Sequence, residues 1–569
     1  MTGKLVGLLV YLFIHLCILG LSTGRARNLL IQGGTLLDGT GKAPISNVRI
    51  LIEGNKISQI LTDATVALSL PPDTQVVNAQ GKFIIPGLID SHVHYREYMG
   101  ELLLAYGVTA VYDLGNPVYW QAAIKKGLNE GKIHGPRFYF CGGITLPGAG
   151  GGDQPTVRAR DIAEMSRPED ARRAVAAVRE KSDCLKLSES VAGDLFTTIA
   201  REARAAGMGV ISHSLNATDS AGWGITGIEH MVGVAIATIR APEGRRALAG
   251  MNIEAGHKNS LLYQWMEPAY FQEVIDALVR RQVMINPTLH FEWKALMEHA
   301  REHELEDTRL LANPNLQYVP LSERLVTLGQ YHWADGRSSA DREQFLKGYR
   351  RVQEFLGRFV KAGGKIYSGT DSAAATTPGL SLHHEMELLV DAGLTPMDAL
   401  RSSTQWAAEI IGLNNQLGTV EVGKLADLVI LRSNPLDDIR RTKEVDQVIR
   451  GGEIVITGFH GDYAFPFRRR GPESKHLYNP IPVLSDVTPP VATQGAEVRL
   501  RVLGRGFVPS SVVVMDGEGL PTTWVSPTEL AAVLPRARSA RVGTLLIQVE
   551  TPLPGGGITE PIEFFITYP

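Results

Sequence analysis

The chain has 569 residues, too many for one compact core, so two or three domains are expected. Hydrophobic residues make up 44% and charged residues 21%, an ordinary balance for a folded globular protein. The formal net charge is −3, with no basic stripe interleaved with aromatics, which argues against nucleic acid as a partner. The three cysteines, Cys17, Cys141 and Cys184, do not make a disulfide framework. Cys141 and Cys184 read as two buried free thiols rather than as a bridge.

Residues 1–24 have the pattern of an export signal. Lys4 supplies a positive start, Leu5 to Leu21 is apolar apart from His15 and glycines, and Ser22, Thr23 and Gly24 follow. The apolar run is also near the lower limit for a membrane span, so an uncleaved anchor is the alternative. In both cases the body is expected outside the cytoplasm: periplasmic, secreted or membrane-anchored. Residues 28–83 read as short strands broken by Gly33-Gly34, Asp38-Gly39 and Gly54-Asn55.

From Ile84 the pattern becomes strand, loop, helix, repeated. Barrel strands are expected near 84–94, 107–113, 136–141, 184–188, 209–213, 227–230, 283–288 and 365–370. Asp194 to Ala206 and Tyr270 to Arg281 show apolar residues at helical spacing. Eight such units predict an α/β fold of the (β/α)8 TIM-barrel type over 84–412, with extra length between His230 and Val283 and between His290 and Asp341. Thr395-Pro396 should start a late helix, and Gly412 should stop the last one. Strands return in 413–457 and are expected to join 28–83 in a composite small β-sandwich domain beside the barrel. Residues 458–477 are a linker rich in Arg, Gly and Pro. Residues 478–569 have the strand spacing of a second β-sandwich, immunoglobulin-like.

The chemistry is concentrated at the expected strand ends. In His92-Val93-His94 the two imidazoles lie on alternate strand residues, hence on one face, and could form half of a zinc site. Alone, such a pair is a weak signal. His213, His230 and Asp371 close three further strands at the same mouth of the barrel, where barrel enzymes place their active sites. Together the five make a metal site the better reading. Tyr112 and His290 are candidate substrate contacts. Tyr112 and Asp113 end the second strand and could line the pocket, with packing as the alternative, and a solvent-facing loop is the alternative for His290. His383 and His384 are expected to be structural or to support the ligands. Asn216-Ala-Thr218 matches a glycosylation sequon but adjoins His213, and is discounted.

Phe83-Ile-Ile-Pro-Gly-Leu-Ile-Asp-Ser-His-Val-His94 resembles the opening strand of the amidohydrolase superfamily. So do Ile225 to His230, Ser368-Gly-Thr-Asp371 and Gly418 to Asp427 at their own places. The resemblance spans roughly residues 28 to 457 and is nearest to the imidazolonepropionase-like branch, which includes prolidase-like dipeptidases. It implies that His92 and His94 bind a first metal, that His213 and His230 bind a second, and that Asp371 binds the first and moves the proton. Lys186 would be carboxylated and bridge two divalent ions, most simply Zn2+, because an ammonium has no lone pair for a cation. Pairing of Lys186 with a carboxylate such as Glu189 is the other reading.

The implied reaction is attack on a C–N amide bond by a metal-bound hydroxide. The substrate would be a small-molecule amide such as a dipeptide or an N-acyl amino acid. A cyclic amide hydrolysed with one metal is the alternative, and a non-catalytic surface scaffold is a third reading. The glycine-rich stretch Gly142 to Gly152 should form a loop above the metals, and it departs from many relatives in lacking a histidine there. Val498 to Val502 followed by Gly504-Arg-Gly-Phe507 resembles an IPT/TIG domain, which implies a spacer or a surface for a cell-surface or self-association partner. A homo-oligomer is compatible with it.

Overall fold

The computed structural model describes residues 28–63, 65–116, 118–144, 168–187, 193–214, 216–249, 260–372, 375–460, 463, 479–552 and 557–568. The leader, Glu189, most of the glycine-rich loop and most of the 458–477 linker lie outside them.

Seven parallel strands follow one another in sequence order around a barrel: Leu88–Val93, Val108–Asp113, Arg137–Ile144, Cys184–Leu187, Gly209–Ser212, Gly227–Glu229 and Met284–Asn286. The eighth position is filled by residues 366–372. This segment makes only isolated parallel bridges, Ile285 to Ile366 on one side and Val93 to Ser372 on the other. Further backbone bonds, Ser91 N to Ser368 O and Asp371 N to His92 O (both 2.9 Å), close the ring. Ile89, Ala110, Tyr112, Ile211, Met284 and Tyr367 fill one apolar layer with little or no exposure. A barrel of this size is a packed core rather than a pore.

The single strand expected from 84 to 94 is divided in two. Phe83–Pro86 pairs with Leu428–Leu431 in another sheet, and the barrel strand begins at Leu88. Gly87 is the crossing point, because a Cβ there would collide with the side chain of Thr109. The other sheet is continuous and eight-stranded, built from both ends of the catalytic unit. Leu29–Leu36, Ile45–Glu53 and Lys56–Leu61 come from one end, and Leu428–Leu431, Val445–Arg450 and Glu453–Val455 from the other. Its core unites Ile31, Ile50, Val77, Ile84, Ile430 and Ile449.

The helices Gly193–Ala205 and Phe271–Arg280 lie where the apolar spacing placed them, the second burying Phe271, Val274, Ile275 and Leu278. Thr395 caps Pro396–Ser402, its hydroxyl accepting from Asp398 N at 3.1 Å. The described parts of the extra lengths are largely helical, including Ala300–Leu311 and Leu321–Gly329 after the seventh strand. At the C-terminus a four-stranded and a six-stranded sheet share a core that includes Val502, Phe507, Met515, Ile547 and Phe564. Among the described residues no helix is long and apolar enough to cross a membrane.

Cys141 and Cys184 are not free thiols but a disulfide. They are direct partners on the third and fourth barrel strands, with Cα atoms 4.3 Å apart. Residue order along each strand gave no hint of this contact, because it depends on the register between two strands 43 residues apart.

Candidate metal centre

His92 ends the first barrel strand, and Asp90 pins that strand to the closing segment. Asp90 accepts from Thr370 N at 3.0 Å and from Thr370 Oγ1 at 2.7 Å. This brings Asp371 against the histidine pair. Its Oδ1 stands 3.3 Å from His92 Nε2 and 3.1 Å from His94 Nε2, and its Oδ2 stands 3.9 Å from His230 Nε2. His92, His230 and Asp371 each offer one ligand atom within 4.8 Å of the others, and all three are buried.

The outward nitrogens set the tautomers. His92 Nδ1 lies 2.6 Å from Glu229 Oε2; a carboxylate only accepts, so this nitrogen carries the proton and Nε2 keeps its lone pair. His92 Nε2 is buried and makes no hydrogen bond. His230 Nδ1 lies 2.6 Å from Thr288 Oγ1, whose own proton goes to the Pro287 carbonyl at 2.9 Å. The hydroxyl must therefore accept from His230, and again Nε2 is the lone-pair nitrogen. Imidazoles whose outer N–H is anchored in this way are oriented for a cation. The donor chemistry fits a divalent metal.

The electrostatics agree. Burial, against the pull of Asp371 and with Lys186, His94 and His213 close by, holds His92 well below the usual histidine range. Burial would push Asp371 up, but the surrounding imidazoles of His92 and His94 outweigh it and hold the carboxyl well below its ordinary range. Lys186, 2% exposed, sits on the fourth strand opposite Ile211 and Gly143, close enough to act on both His92 and Glu229. The His213 ring lies 5.2 Å from that of His230. The six residues expected from the sequence thus gather at one mouth.

Backbone strain gathers there too. Ser214, His230, Thr288 and Asp371 have φ between +48° and +60°, a region that residues other than glycine seldom occupy. Such conformations persist only where the surroundings over-determine them, which is typical of functional sites.

Sequence reasoning missed Glu229. It is fully buried and takes hydrogen bonds from His92 Nδ1, Asn286 Nδ2 (2.9 Å) and Tyr367 OH (2.8 Å); burial pushes its carboxyl up to about 7. Its place before His230 in the sequence was visible, but an acidic residue on a strand gives no sign of three convergent donors. Glu292 was missed as well. Both its carboxylate oxygens are buried without a hydrogen bond, and burial followed by the nearby Asp371 pushes it well up.

Other expectations are corrected. Tyr112 does not line a pocket: it lies in the barrel layer, and its hydroxyl donates to Ala407 O at 2.5 Å. Asp113 is used by its own loop, accepting from Gly115 N, Asn116 N and Gln121 Nε2. His290 is neither an open substrate contact nor on a solvent-facing loop; it is fully buried with His303 and His384. The Asn216 side chain caps a helix, accepting from Thr218 N at 3.0 Å.

A (β/α)8 barrel that collects buried imidazoles and a carboxylate at its strand ends defines a class of proteins able to hold a divalent metal there. The model of the amidohydrolase family matches residues 83–455, and the chain belongs to that family. The imidazolonepropionase of Geobacillus kaustophilus (strain HTA426) is 33% identical over 103 residues, which is 17% of this chain and 24% of that protein. The 5-methylthioadenosine/S-adenosylhomocysteine deaminase of Thermodesulfovibrio yellowstonii is 30% identical over 122 residues, 18% of this chain and 28% of the other. The chain therefore matches about a quarter of the length of these curated relatives. Among solved structures, one described as a putative prolidase from Bifidobacterium longum covers 79% of this chain and 98% of its own, at 22% identity and a TM-score of 0.53. Phenylurea hydrolase B covers 78% and 98%, at 20% identity and 0.52. At these identities the likeness is one of fold.

Proposed function

We propose that the protein is a metal-dependent amidohydrolase that hydrolyses a C–N amide bond in a dipeptide or an N-acyl amino acid. The observation that carries this reading is the convergence of His92, His230 and Asp371, with each imidazole's outer nitrogen already committed elsewhere. His92, His94 and Asp371 would hold a first divalent ion. His213 and His230 would hold a second, with carboxylated Lys186 between them. Nitrogen and oxygen donors suit zinc best. When bound, such ions supply an activated water near neutral pH and polarise the substrate carbonyl.

The protein's own part is proton transfer and orientation. Asp371 is ionised and central, so it accepts the water's proton and returns it to the departing amine, which cannot leave as an amide anion. Glu229 holds His92 in the required tautomer. The neighbourhood of Lys186, His92 and Glu229 supports the bridging role. The sequence match to imidazolonepropionase favours a second reading, a cyclic amide opened with a single ion.

Screening zinc-loaded enzyme against dipeptides, N-acyl amino acids and cyclic amides separates these. Turnover of the first two groups supports the main reading, turnover of cyclic amides alone supports the second, and no hydrolysis of any leaves the scaffold reading. Lys186→Ala should lose one ion and nearly all activity; full activity with unchanged metal content would remove the bridge.

The disulfide supports export to an oxidising compartment, with residues 1–24 as the signal or anchor. The two C-terminal sheets support an IPT/TIG-like module over 478–569, a surface for a partner or for self-association.

A further inference from the structure

A second group of histidines lies outside the metal centre. His290 is on the helix Leu289–Trp293 after the seventh strand, His303 on Ala300–Leu311, and His384 on Leu380–Asp391. All three are fully buried, and one nitrogen from each can be chosen so that all lie within 4.8 Å of one another. The His303 and His384 rings stack at 3.8 Å, and the His290 ring centroid is 4.8 Å from that of His384.

Two of the three, His303 and His384, have their outer nitrogens anchored on carboxylates. His303 Nε2 meets Glu387 Oε2 at 2.9 Å, and His384 Nε2 meets Glu306 Oε2 at 2.8 Å. Lys443 Nζ holds both carboxylates at 2.8 Å. These two rings therefore give their protons outward and keep their Nδ1 lone pairs. His384 Nδ1 faces His290 Nε2 at 3.2 Å.

The protein alone leaves this cluster incomplete. His303 Nδ1 and His290 Nδ1 are buried without any hydrogen bond. A buried polar atom in this state has lost water without gaining a partner, which is unfavourable. Histidine rings held by a carboxylate at one nitrogen are the arrangement seen around bound metals, and His303 and His384 are held in this way. The charge balance also suits a cation: Glu306, Glu387 and Asp307 surround the cluster, against Lys443 and Lys294, and Lys294 Nζ already donates to Ala375 O at 2.6 Å. Tyr331, 3.4 Å from His290 Nε2, sends its proton to Asp307 Oδ2 at 2.8 Å, so it does not donate to the histidine.

We propose that His290, His303 and His384 form an accessory site for a divalent transition metal of the zinc class, separate from the catalytic centre. Three imidazoles are the donor set such ions favour. The site would staple the inserted helix Ala300–Leu311 to Leu380–Asp391, the helix that follows Asp371 in the chain. Its role is structural.

The test uses the full chain with all the catalytic ligands disabled, as His92→Asn, His94→Asn, Lys186→Ala, His213→Asn, His230→Asn and Asp371→Asn together. Its outcome therefore does not depend on the catalytic reading. After dialysis against Zn2+ or Co2+, elemental analysis should find about one ion per chain, and Co2+ should show the visible absorption of a nitrogen-ligated site. Adding His303→Asn and His384→Asn should remove both signals. Zinc should also raise the Tm of the disabled parent, and this arm needs no change in the cluster. No bound ion and no zinc-dependent Tm shift in the parent would overturn the proposal and leave a neutral hydrogen-bonded histidine cluster. An ion that survives the loss of His303 and His384 would overturn it equally.

Discussion

Replacing both Cys141 and Cys184 by Ala should destabilise the barrel by an amount that can be worked out in advance. The bridge spans 43 residues of sequence. Closing a loop of that length removes about 13 cal/mol/K from the unfolded chain, or about 4 kcal/mol at 25 °C. Both cysteines are almost wholly buried, among Ile89, Ala110, Tyr112 and Ile211, so losing the sulfurs adds a packing cost of the same sign. The assay is urea unfolding under non-reducing conditions, followed by tryptophan fluorescence. Six of the seven tryptophans precede residue 410, so the signal reports the barrel rather than the C-terminal sandwich. A lower midpoint corresponding to about 4 kcal/mol is expected. Because Cys184 lies two residues before Lys186 on the same strand, the variant should also hold metal more weakly. A midpoint change worth less than about 1 kcal/mol would refute the loop argument. So would the recovery of free thiols at 141 and 184 from wild-type protein unfolded without reductant.

Three further outcomes follow from the metal centre. Glu229→Gln replaces one of two accepting oxygens by a donor facing His92, Asn286 or Tyr367, so metal affinity should fall about 10–100-fold; equilibrium dialysis with zinc reads this, and unchanged affinity would remove Glu229 from the account. In Gly115→Ala the new methyl would collide with the His94 ring, so metal content should drop while the circular dichroism spectrum stays that of the wild type. Asp371→Asn should lower kcat about 10²–10⁴-fold once a substrate is in hand, and added amine buffers should recover part of the loss if proton transfer is its task.

Much of the site was legible because its signals are local. The two-residue period of a strand puts His92 and His94 on one face wherever that strand goes. A histidine or aspartate closing an apolar run marks a strand end, which is how His213, His230 and Asp371 were found. Thr395 followed by Pro396 carries its own capping chemistry. Tyr112 was misjudged for a related reason: its position along the strand was visible, but not that the end of its ring meets the Ala407 carbonyl. His290 and His384 were visible as histidines, but their meeting with His303 needs the inserted helix Ala300–Leu311 to pack against Leu380–Asp391.

What the sequence by itself determined is the order of barrel units, the residues at their ends and the pairing of imidazoles within one strand, because these depend on backbone periodicity alone. The tertiary structure decided the rest. The register of the third strand on the fourth made Cys141 and Cys184 a disulfide, and the turn at Gly87 gave Phe83–Pro86 to a different sheet. Barrel closure set Asp371 against His92, and the side chains of Glu229 and Thr288 fixed which imidazole nitrogen faces inward. Each of these rests on a distance between residues far apart in the chain, set by how strands and helices pack and carried by no local pattern of residue types.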